Sequence, residues 1–154
     1  MQSKGLSMNF QTKTFKELTT TELYQILQLR SEVFVVEQNC VYQDIDFKDQ
    51  KSLHVLGYKN DEIVAYTRIF KGGDYFENAS IGRVVVAIEE RKFGYGHQLM
   101  KYSIEVVHQK LNTREITISA QLYLKKFYET HGFSQVGEGY LEDGIPHIRM
   151  DLSV

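Results

Sequence analysis

Residues 83–97 read Arg-Val-Val-Val-Ala-Ile-Glu-Glu-Arg-Lys-Phe-Gly-Tyr-Gly-His: an apolar run, a charged turn and two glycines. The apolar part predicts a strand over 79–88 that is buried on both faces, as central strands are. Apolar residues then recur with helical spacing and predict a helix over 96–110. Ile116 and Ile118 alternate in a further strand. A strand, a helix and a strand in this order predict a parallel pair with a right-handed crossover.

The segment before this core predicts a strand, a helix, a loop and two more strands. Thr19 and Glu22 have the spacing of a capping box, which favours a helix beginning near residue 20. Apolar residues continue on one helical face to Val35. The predicted elements are a strand at 10–15, the helix at 20–35, a polar acidic loop at 37–50 and strands at 52–58 and 63–70.

The segment after the core predicts a third helix and a hairpin. The helix covers 122–131 and is ended by Gly132, a residue suited to a left-handed cap. Strands at 133–140 and 145–152 flank Asp143-Gly144, a favoured hairpin turn. The whole pattern indicates the α+β class, with a mixed central β-sheet flanked by helices.

Length and composition indicate one soluble domain. The chain has 154 residues, which is the size of a single domain, and we assign the domain to residues 8–154. Residues 1–7 before Met8 are interpreted as a tag remnant or a disordered N-terminus. A net charge of −2 gives no overall attraction to nucleic acid or to anionic lipid, so neither is an expected partner. The single cysteine, Cys40, excludes an internal disulfide and favours a cytoplasmic location.

The turn between the buried strand and the second helix has the features of a phosphate-binding loop. Gly94 and Gly96 allow backbone N–H groups to approach a ligand, and a helix N-terminus adds partial positive charge. Arg91, Lys92 and His97 add cations, which suits a pyrophosphate. The alternative is an ordinary strand–helix turn with a solvated Arg-Lys pair. Neither the dinucleotide fingerprint nor the P-loop ending is present.

Several motifs resemble one known family. Arg91-x-x-Gly94-x-Gly96 after the apolar strand resembles the acetyl-CoA motif of the GNAT N-acetyltransferase superfamily. Residues 127–133, Phe-Tyr-Glu-Thr-His-Gly-Phe, are similar to its late helix and the strand after it. Three further stretches resemble the ElaA-like subgroup: residues 29–38, Asp44-x-Asp46 and residues 140–147. The resemblance implies a GNAT-type acyl-CoA N-acyltransferase fold over nearly the whole chain from Met8.

The resemblance also implies which residues hold acetyl-CoA, the co-substrate. The strand residues Val84, Val85 and Val86 would offer backbone groups to the pantetheine arm, because the sheet of this family splays beyond that strand. The loop residues Arg91, Lys92, Phe93, Gly94, Tyr95, Gly96 and His97 would hold the pyrophosphate. Many relatives carry an asparagine shortly after the next strand, and Gln121 or Ser119 takes that place here.

The implied reaction is direct transfer of an acetyl group to an amine. Tyr128 corresponds to the tyrosine that serves as general acid for the departing thiolate in many GNAT enzymes. Core packing is the alternative for Tyr128, because Leu124, Phe127 and Tyr128 share one helical face. Cys40 as an acyl carrier is a further alternative, although direct transfer is the usual GNAT course.

The general base and the acceptor site are assigned to acidic residues and one histidine. Glu37 is the first choice for the base, and His147 is the second, because histidine titrates near neutral pH. Asp44 and Asp46 are expected to attract a cationic acceptor. Arg30 belongs to the same region, where it either contacts the substrate or pairs with these acids. Each acid also has a plainer interpretation as part of a solvated loop, and His147 as a structural residue.

The predicted function is acetyl-CoA-dependent N-acetylation of a primary amine on a small-molecule or peptide acceptor. The rivals are a non-catalytic acyl-CoA-binding or sensing module and a nucleotide-binding domain unrelated to CoA. The histidines and the cysteine show no metal-ligand spacing, so no metal is expected. The sequence leaves the oligomeric state open, and a homodimer is compatible with it.

Overall fold

A computed structural model describes residues 8–153 as a seven-stranded mixed sheet with helices on both faces. The interpretation of residues 1–7 lies outside the described residues. The strand order is β1-β2-β3-β4-β5-β7-β6. The strands are β1 Asn9–Thr14, β2 Leu53–Lys59, β3 Glu62–Phe70, β4 Ala79–Val86, β5 Ile116–Gln121, β6 Ser134–Glu142 and β7 Ile145–Leu152.

The first helix, α1, covers Thr20–Arg30 and begins at the predicted capping box. The Glu22 N–H donates to the Thr19 hydroxyl at 3.0 Å, and the Thr19 N–H donates to the Glu22 carboxylate at 3.0 Å. After Arg30 the chain continues as a π-helical segment, Ser31–Glu37, so the predicted helix over 20–35 changes type partway. This wider turn carries the chain into the loop that follows.

The other helices lie after β4 and β5. Helix α2 covers Tyr95–Lys110, and α3 covers Lys125–Glu129. The helix predicted over 122–131 is therefore shorter, because its first turn, Leu122–Leu124, is a 3-10 turn. Gly132 has a φ of 97°, which confirms the left-handed position predicted after this helix.

Two apolar clusters fix the layers of the fold. Side chains of α1, including Ile26 and Leu29, pack against Val85 of β4 on one face of the sheet. Side chains of α2, including Leu99 and Met100, pack on the other face with residues of β5 and β7. The sheet is thus covered on both sides, which confirms the predicted α+β architecture with helices flanking a mixed sheet.

Strands β4 and β5 are parallel, as predicted, but they pair only at their beginnings. The paired positions are Ala79 with Ile116 and Ser80 with Thr117. The prediction that β4 is buried on both faces was wrong for part of its length. Val85 is buried, whereas Val84 and Val86 are half-buried, because β5 has moved away from the strand beside them.

Candidate active site

The separation of β4 from β5 opens a cavity with a volume of about 890 Å³. One set of lining residues comes from the start of α2 and from α3, and we call it the helix side: Gly94, Gly96, His97, Phe127 and Tyr128. A second set comes from β5 and the β6–β7 hairpin, and we call it the hairpin side: Ser119, Glu142, Asp143, Ile145 and His147. Val84, Val85 and Val86 also line the cavity.

The inner edge of β4 offers backbone groups to this cavity. On its other edge β4 pairs with β3, where Val86 lies opposite Ala65 and Val85 opposite Tyr66. Toward β5, no strand pairing of residues 8–153 continues past Ser80. The expectation that the sheet splays beyond this strand is confirmed. Exposed edge groups of this kind seek partners, and an extended ligand arm is one way to supply them.

A bulge in β4 lies at Arg83, which has a φ of 49°. The pairing register with β3 shifts between Tyr66 and Arg68 at this point. The Arg83 side chain leaves the strand and donates from Nε to the Asp44 carboxylate at 2.7 Å and from Nη2 to the Asp44 carbonyl at 3.0 Å. Because a left-handed arginine costs free energy, these bonds help to keep the bulge in place.

The start of α2 supplies the features expected of a pyrophosphate site. Gly94 has a φ of 74°, and a Cβ at this position would meet nothing within 4 Å. A Cβ at Gly96 would lie 3.4 Å from the Phe127 ring, so this glycine keeps the helix start close to α3. N–H groups in the first turn of a helix lack intrahelical acceptors and carry partial positive charge. His97 Nδ1 lies 2.9 Å from His131 Nε2, which holds its ring beside the cavity.

Three side chains of the predicted cofactor loop point elsewhere. Tyr95 is fully buried, and the Phe93 ring lies beneath the Lys59 ammonium at 4.4 Å. Lys92 is exposed and lies over the Phe93 ring. The predicted role of Phe93 and Tyr95 in holding the cofactor is therefore corrected for their side chains, since packing withdraws them from the cavity. Lys92 does not line the cavity but is exposed beside the loop, so its role stays a prediction.

Arg91 and Glu37, predicted as a phosphate ligand and a general base, bind each other. Two guanidinium nitrogens of Arg91 each donate to the Glu37 carboxylate at 2.7 Å, and Nε donates to the Val86 carbonyl at 3.1 Å. These hydrogen bonds from Arg91 lower the pKa of Glu37. A carboxylate held in this way is a weaker proton acceptor, so the structure does not support Glu37 as the base.

Arg30 and Asp44 were predicted to bind substrate and instead belong to a buried ion cluster. Arg30 is fully buried and donates to Asp44 at 3.0 Å and to Asp49 at 2.9 Å. Neither Arg30 nor Asp44 lines the cavity. The substrate-binding prediction for these two residues is corrected, because buried charges require partners, and the alternative that Arg30 pairs with the acids is confirmed.

Asp46 reaches the cavity but is also neutralised. Arg68 donates to both of its carboxylate oxygens, at 2.8 and 2.9 Å. Burial raises the pKa of Asp46, but the hydrogen bonds and charge of Arg68 outweigh it and hold the pKa at about 2. The acidic loop therefore contributes little free negative charge through Asp46.

Tyr128 is packed in the core and also lines the cavity, so its position is compatible with both interpretations that the sequence left open. Its ring is buried in the main apolar cluster, edge-on to Phe127 at 5.1 Å and to Phe133 at 6.0 Å. It also lines the cavity, and its hydroxyl forms no hydrogen bond with residues 8–153. Burial, and then the nearby Tyr123, raise the pKa of the Tyr128 hydroxyl, so it stays protonated at neutral pH.

His147 on β7 presents one ring nitrogen to the cavity. Its Nδ1 lies 2.7 Å from the Ile145 carbonyl. A carbonyl only accepts, so Nδ1 carries the hydrogen and Nε2 holds the free lone pair of the neutral ring. Nε2 lies 3.8 Å from the Glu142 carboxylate, and the ring stacks on Tyr140 at 6.2 Å.

A cluster on β5 and β6 was missed by sequence reasoning. The Ser119 hydroxyl donates to Glu142 at 3.0 Å and lies 2.6 Å from the Tyr140 hydroxyl. Because the Ser119 hydroxyl donates its hydrogen to Glu142, Tyr140 is the donor in the bond between the Tyr140 and Ser119 hydroxyls. Tyr140 and Glu142 stand two residues apart on β6 and so share a face, but the predicted strand ended at residue 140 and did not include Glu142. Gln121 lines the cavity, with its amide donating to Gln38 at 3.4 Å.

Residues 8–153 contain neither a membrane-spanning helix nor a metal-binding cluster. No helix among them is long and apolar enough to cross a membrane. No group of three or more histidine, cysteine, aspartate or glutamate side chains in this part of the chain is arranged to hold a metal ion.

This divided sheet, with helices on both faces, is the acyl-CoA N-acyltransferase fold. A solved acyl-CoA N-acyltransferase from Pseudomonas aeruginosa superposes with a TM-score of 0.90 at 38% identity, covering 96% of this chain and 100% of that one. A family model described as the acetyltransferase (GNAT) domain matches residues 14–154. The chain belongs to the GNAT acetyltransferase family, in its ElaA-like subgroup.

The relatives include the protein ElaA of Escherichia coli. It is 48% identical over 140 residues, which cover 90% of this chain and 92% of ElaA. Its crystal structure superposes with a TM-score of 0.89, at 44% identity over 96% of this chain and all of that one. A GNAT acetyltransferase from Elizabethkingia anophelis, solved with acetyl-CoA bound, shares the fold at 16% identity and a TM-score of 0.65, covering 96% and 98% of the two chains. Family membership supports an acyl-CoA-dependent acyltransferase activity.

Proposed function

We propose that this chain transfers an acetyl group from acetyl-CoA directly to a primary amine. The observation that carries the proposal is the gap between β4 and β5, which leaves the edge at Val84–Val86 open beside Tyr128 and the start of α2. The pantetheine arm would pair with that edge. The N–H groups near Gly94 and Gly96 would hold the pyrophosphate. The acetyl-CoA bound to the distant Elizabethkingia relative agrees with this choice of donor.

The acceptor must lose a proton before it attacks. An alkylamine with a pKa near 10.4 is neutral in only about one molecule in 2,500 at pH 7, a handicap of about 4.6 kcal/mol. His147 is our choice for the base, because it lines the cavity, its Nε2 keeps a free lone pair, and Glu37 is engaged by Arg91. The neutral amine then attacks the thioester carbonyl carbon, and the carbon–sulfur bond breaks.

The departing thiolate is stabilised by Tyr128. Because its pKa is raised, the Tyr128 hydroxyl stays protonated and donates a hydrogen bond to the thiolate as the thiolate forms. The hydroxyl passes its proton to the thiolate as it takes one from the nitrogen of the new amide, so Tyr128 does not become a free phenolate. His147 releases its proton to solvent. The products are the acetylated amine and CoA with a free thiol.

Two measurements test this function. Titration calorimetry with acetyl-CoA should give saturable binding to the full chain, and a panel of primary amines should release free CoA thiol at steady state. Absence of acetyl-CoA binding overturns the enzyme assignment. Binding without thiol release from any amine favours a sensing module instead.

A further inference from the structure

We infer that Glu142 binds the ammonium group of the acceptor, and that the cavity selects primary amines attached to an apolar or aromatic group. This inference rests on the proposed function and names the acceptor class for the same cavity. Its basis is the distribution of charge around the cavity, the fixation of Glu142 and the aromatic wall that faces it.

The negative charge of Glu142 is not neutralised by a cation in the described part of the chain. Its nearest ionic partner there is His147, with 3.8 Å between Nε2 and the carboxylate. Asp46, which lines the same cavity, is held by Arg68 and contacts Arg83 at 3.5 Å. A cationic acceptor entering the cavity is therefore drawn to Glu142 rather than to the acidic loop.

The carboxylate of Glu142 is held in place by groups on two strands. The Ser119 hydroxyl on β5 donates to one oxygen, and Tyr140 on β6 donates to Ser119 in turn. Strand β7 lies between these two strands and pairs with both. Side chains fixed on strands keep their geometry better than side chains on a free loop, so the carboxylate is preorganised for a ligand.

An aromatic wall completes this part of the cavity. Tyr75 stacks on Phe70 at 5.3 Å and meets Phe76 edge-on at 5.0 Å, and all three rings line the cavity. Burial, and then the charge of Glu142, raise the pKa of the Tyr75 hydroxyl. Aromatic faces attract cations and apolar groups, so the wall suits the carbon body of an amine.

The same arrangement links binding to proton transfer. An ammonium group bound by Glu142 lies beside His147 Nε2, the nitrogen that receives its proton in the proposed reaction. The imidazolium that forms is then next to the carboxylate that the ammonium leaves. Positive charge stays beside Glu142 throughout this step, so little new charge separation is required.

The variant Glu142→Gln tests the inference. Removal of the charge should raise the KM for 2-phenylethylamine about 10- to 100-fold, as expected for loss of a hydrogen bond between charged groups. The KM for acetyl-CoA should not change. Glu138→Gln is the matched control, because Glu138 lies on the same strand, is exposed and does not line the cavity. An unchanged amine KM in Glu142→Gln overturns the inference.

A binding measurement separates this inference from the proposed function. With CoA present, 2-phenylethylamine and n-hexylamine should raise the melting temperature of the parent chain, and 2-phenylethanol should not. Glu142→Gln should abolish the rise, whereas Glu138→Gln should keep it. No rise with either amine, or an equal rise with the alcohol, overturns the inference while acetyl-CoA binding still supports the function. Failure of the parent to bind acetyl-CoA removes the function itself.

Discussion

The helix side and the hairpin side of the cavity are built in different ways. Gly94, Gly96 and His97 of the helix side lie within four residues of one another, and their main contribution is backbone at a helix start. The hairpin side brings Ser119, Glu142 and His147 together from three strands, and its contribution is side-chain charge. Recognition by backbone is thus encoded locally, whereas recognition by side chains depends on the register of the whole sheet.

The largest expected effect comes from breaking the ion cluster that fixes the acidic loop. Arg30→Ala should lower the free energy of unfolding by about 3–5 kcal/mol, because it leaves the buried carboxylates of Asp44 and Asp49 without that partner. Urea denaturation measures the change. Arg149→Ala removes a surface pair with Asp151 and should cost below about 1 kcal/mol. Similar losses for the two variants would mean that the cluster is not a structural support.

The next effect concerns the helix side. Tyr128→Phe should lower kcat about 100-fold, or about 2.7 kcal/mol, because the thiolate loses its hydrogen-bond donor. The Kd for acetyl-CoA, measured by calorimetry, should stay within about twofold. Tyr102→Phe is the control, since its hydroxyl lies 3.1 Å from Thr12 and away from the cavity. Unchanged turnover in Tyr128→Phe would remove Tyr128 from the mechanism.

A smaller effect tests whether the backbone of the helix side binds phosphate. Gly94→Asp should raise the Kd for acetyl-CoA about tenfold or more, because a carboxylate there repels the pyrophosphate. Gly137→Asp is closely matched: both glycines have positive φ, 74° and 78°, and neither position has an atom within 4 Å of a Cβ. Gly137 does not line the cavity, so its variant should bind normally. Equal binding by the two variants would contradict the site.

The smallest effect is the acid sensitivity of the acidic loop at 37–50, which lines the cavity through Asp46. Asp46 has a folded pKa of about 2, below its ordinary 3.8. Between pH 3.8 and about 2, the unfolded chain takes up a proton that the folded Asp46 does not. The stabilising effect of Asp46 is therefore complete above pH 3.8 and is lost as the pH falls toward 2. Asp46→Asn should flatten the loss of urea resistance over this range, by about 1 kcal/mol or less. An identical pH profile in both chains would exclude this contribution.

The sequence predicted the elements well because their signals are local. The capping box at Thr19, the left-handed Gly132 and the Asp143-Gly144 turn are each fixed by a few neighbouring residues. The position of the glycine-containing loop before α2 followed for the same reason. The change of helix type after Arg30 left no mark in the apolar pattern, since packing of that segment decides it.

The acidic loop and the hairpin side were predicted less well, because their charged residues contact partners that are distant in sequence. Arg91 neutralises Glu37 across 54 residues, and Arg30 reaches Asp44 across the acidic loop. Charge counts along the chain cannot show which acids are already paired. Glu142 lay inside a quoted motif, but its importance depends on Ser119, which only the strand order β5-β7-β6 brings near.

The divided sheet has a mechanical consequence. Strands β1–β4 and β5–β7 form two halves of the sheet, and within residues 8–153 they pair only at Ala79 with Ile116 and at Ser80 with Thr117. Beyond these two pairs, helices and side chains hold the two halves together, because no backbone hydrogen bonds continue between β4 and β5 in residues 8–153. A molecule that binds between the two halves and forms hydrogen bonds with β4 would stabilise the folded chain. The melting temperature would then rise with the concentration of that molecule.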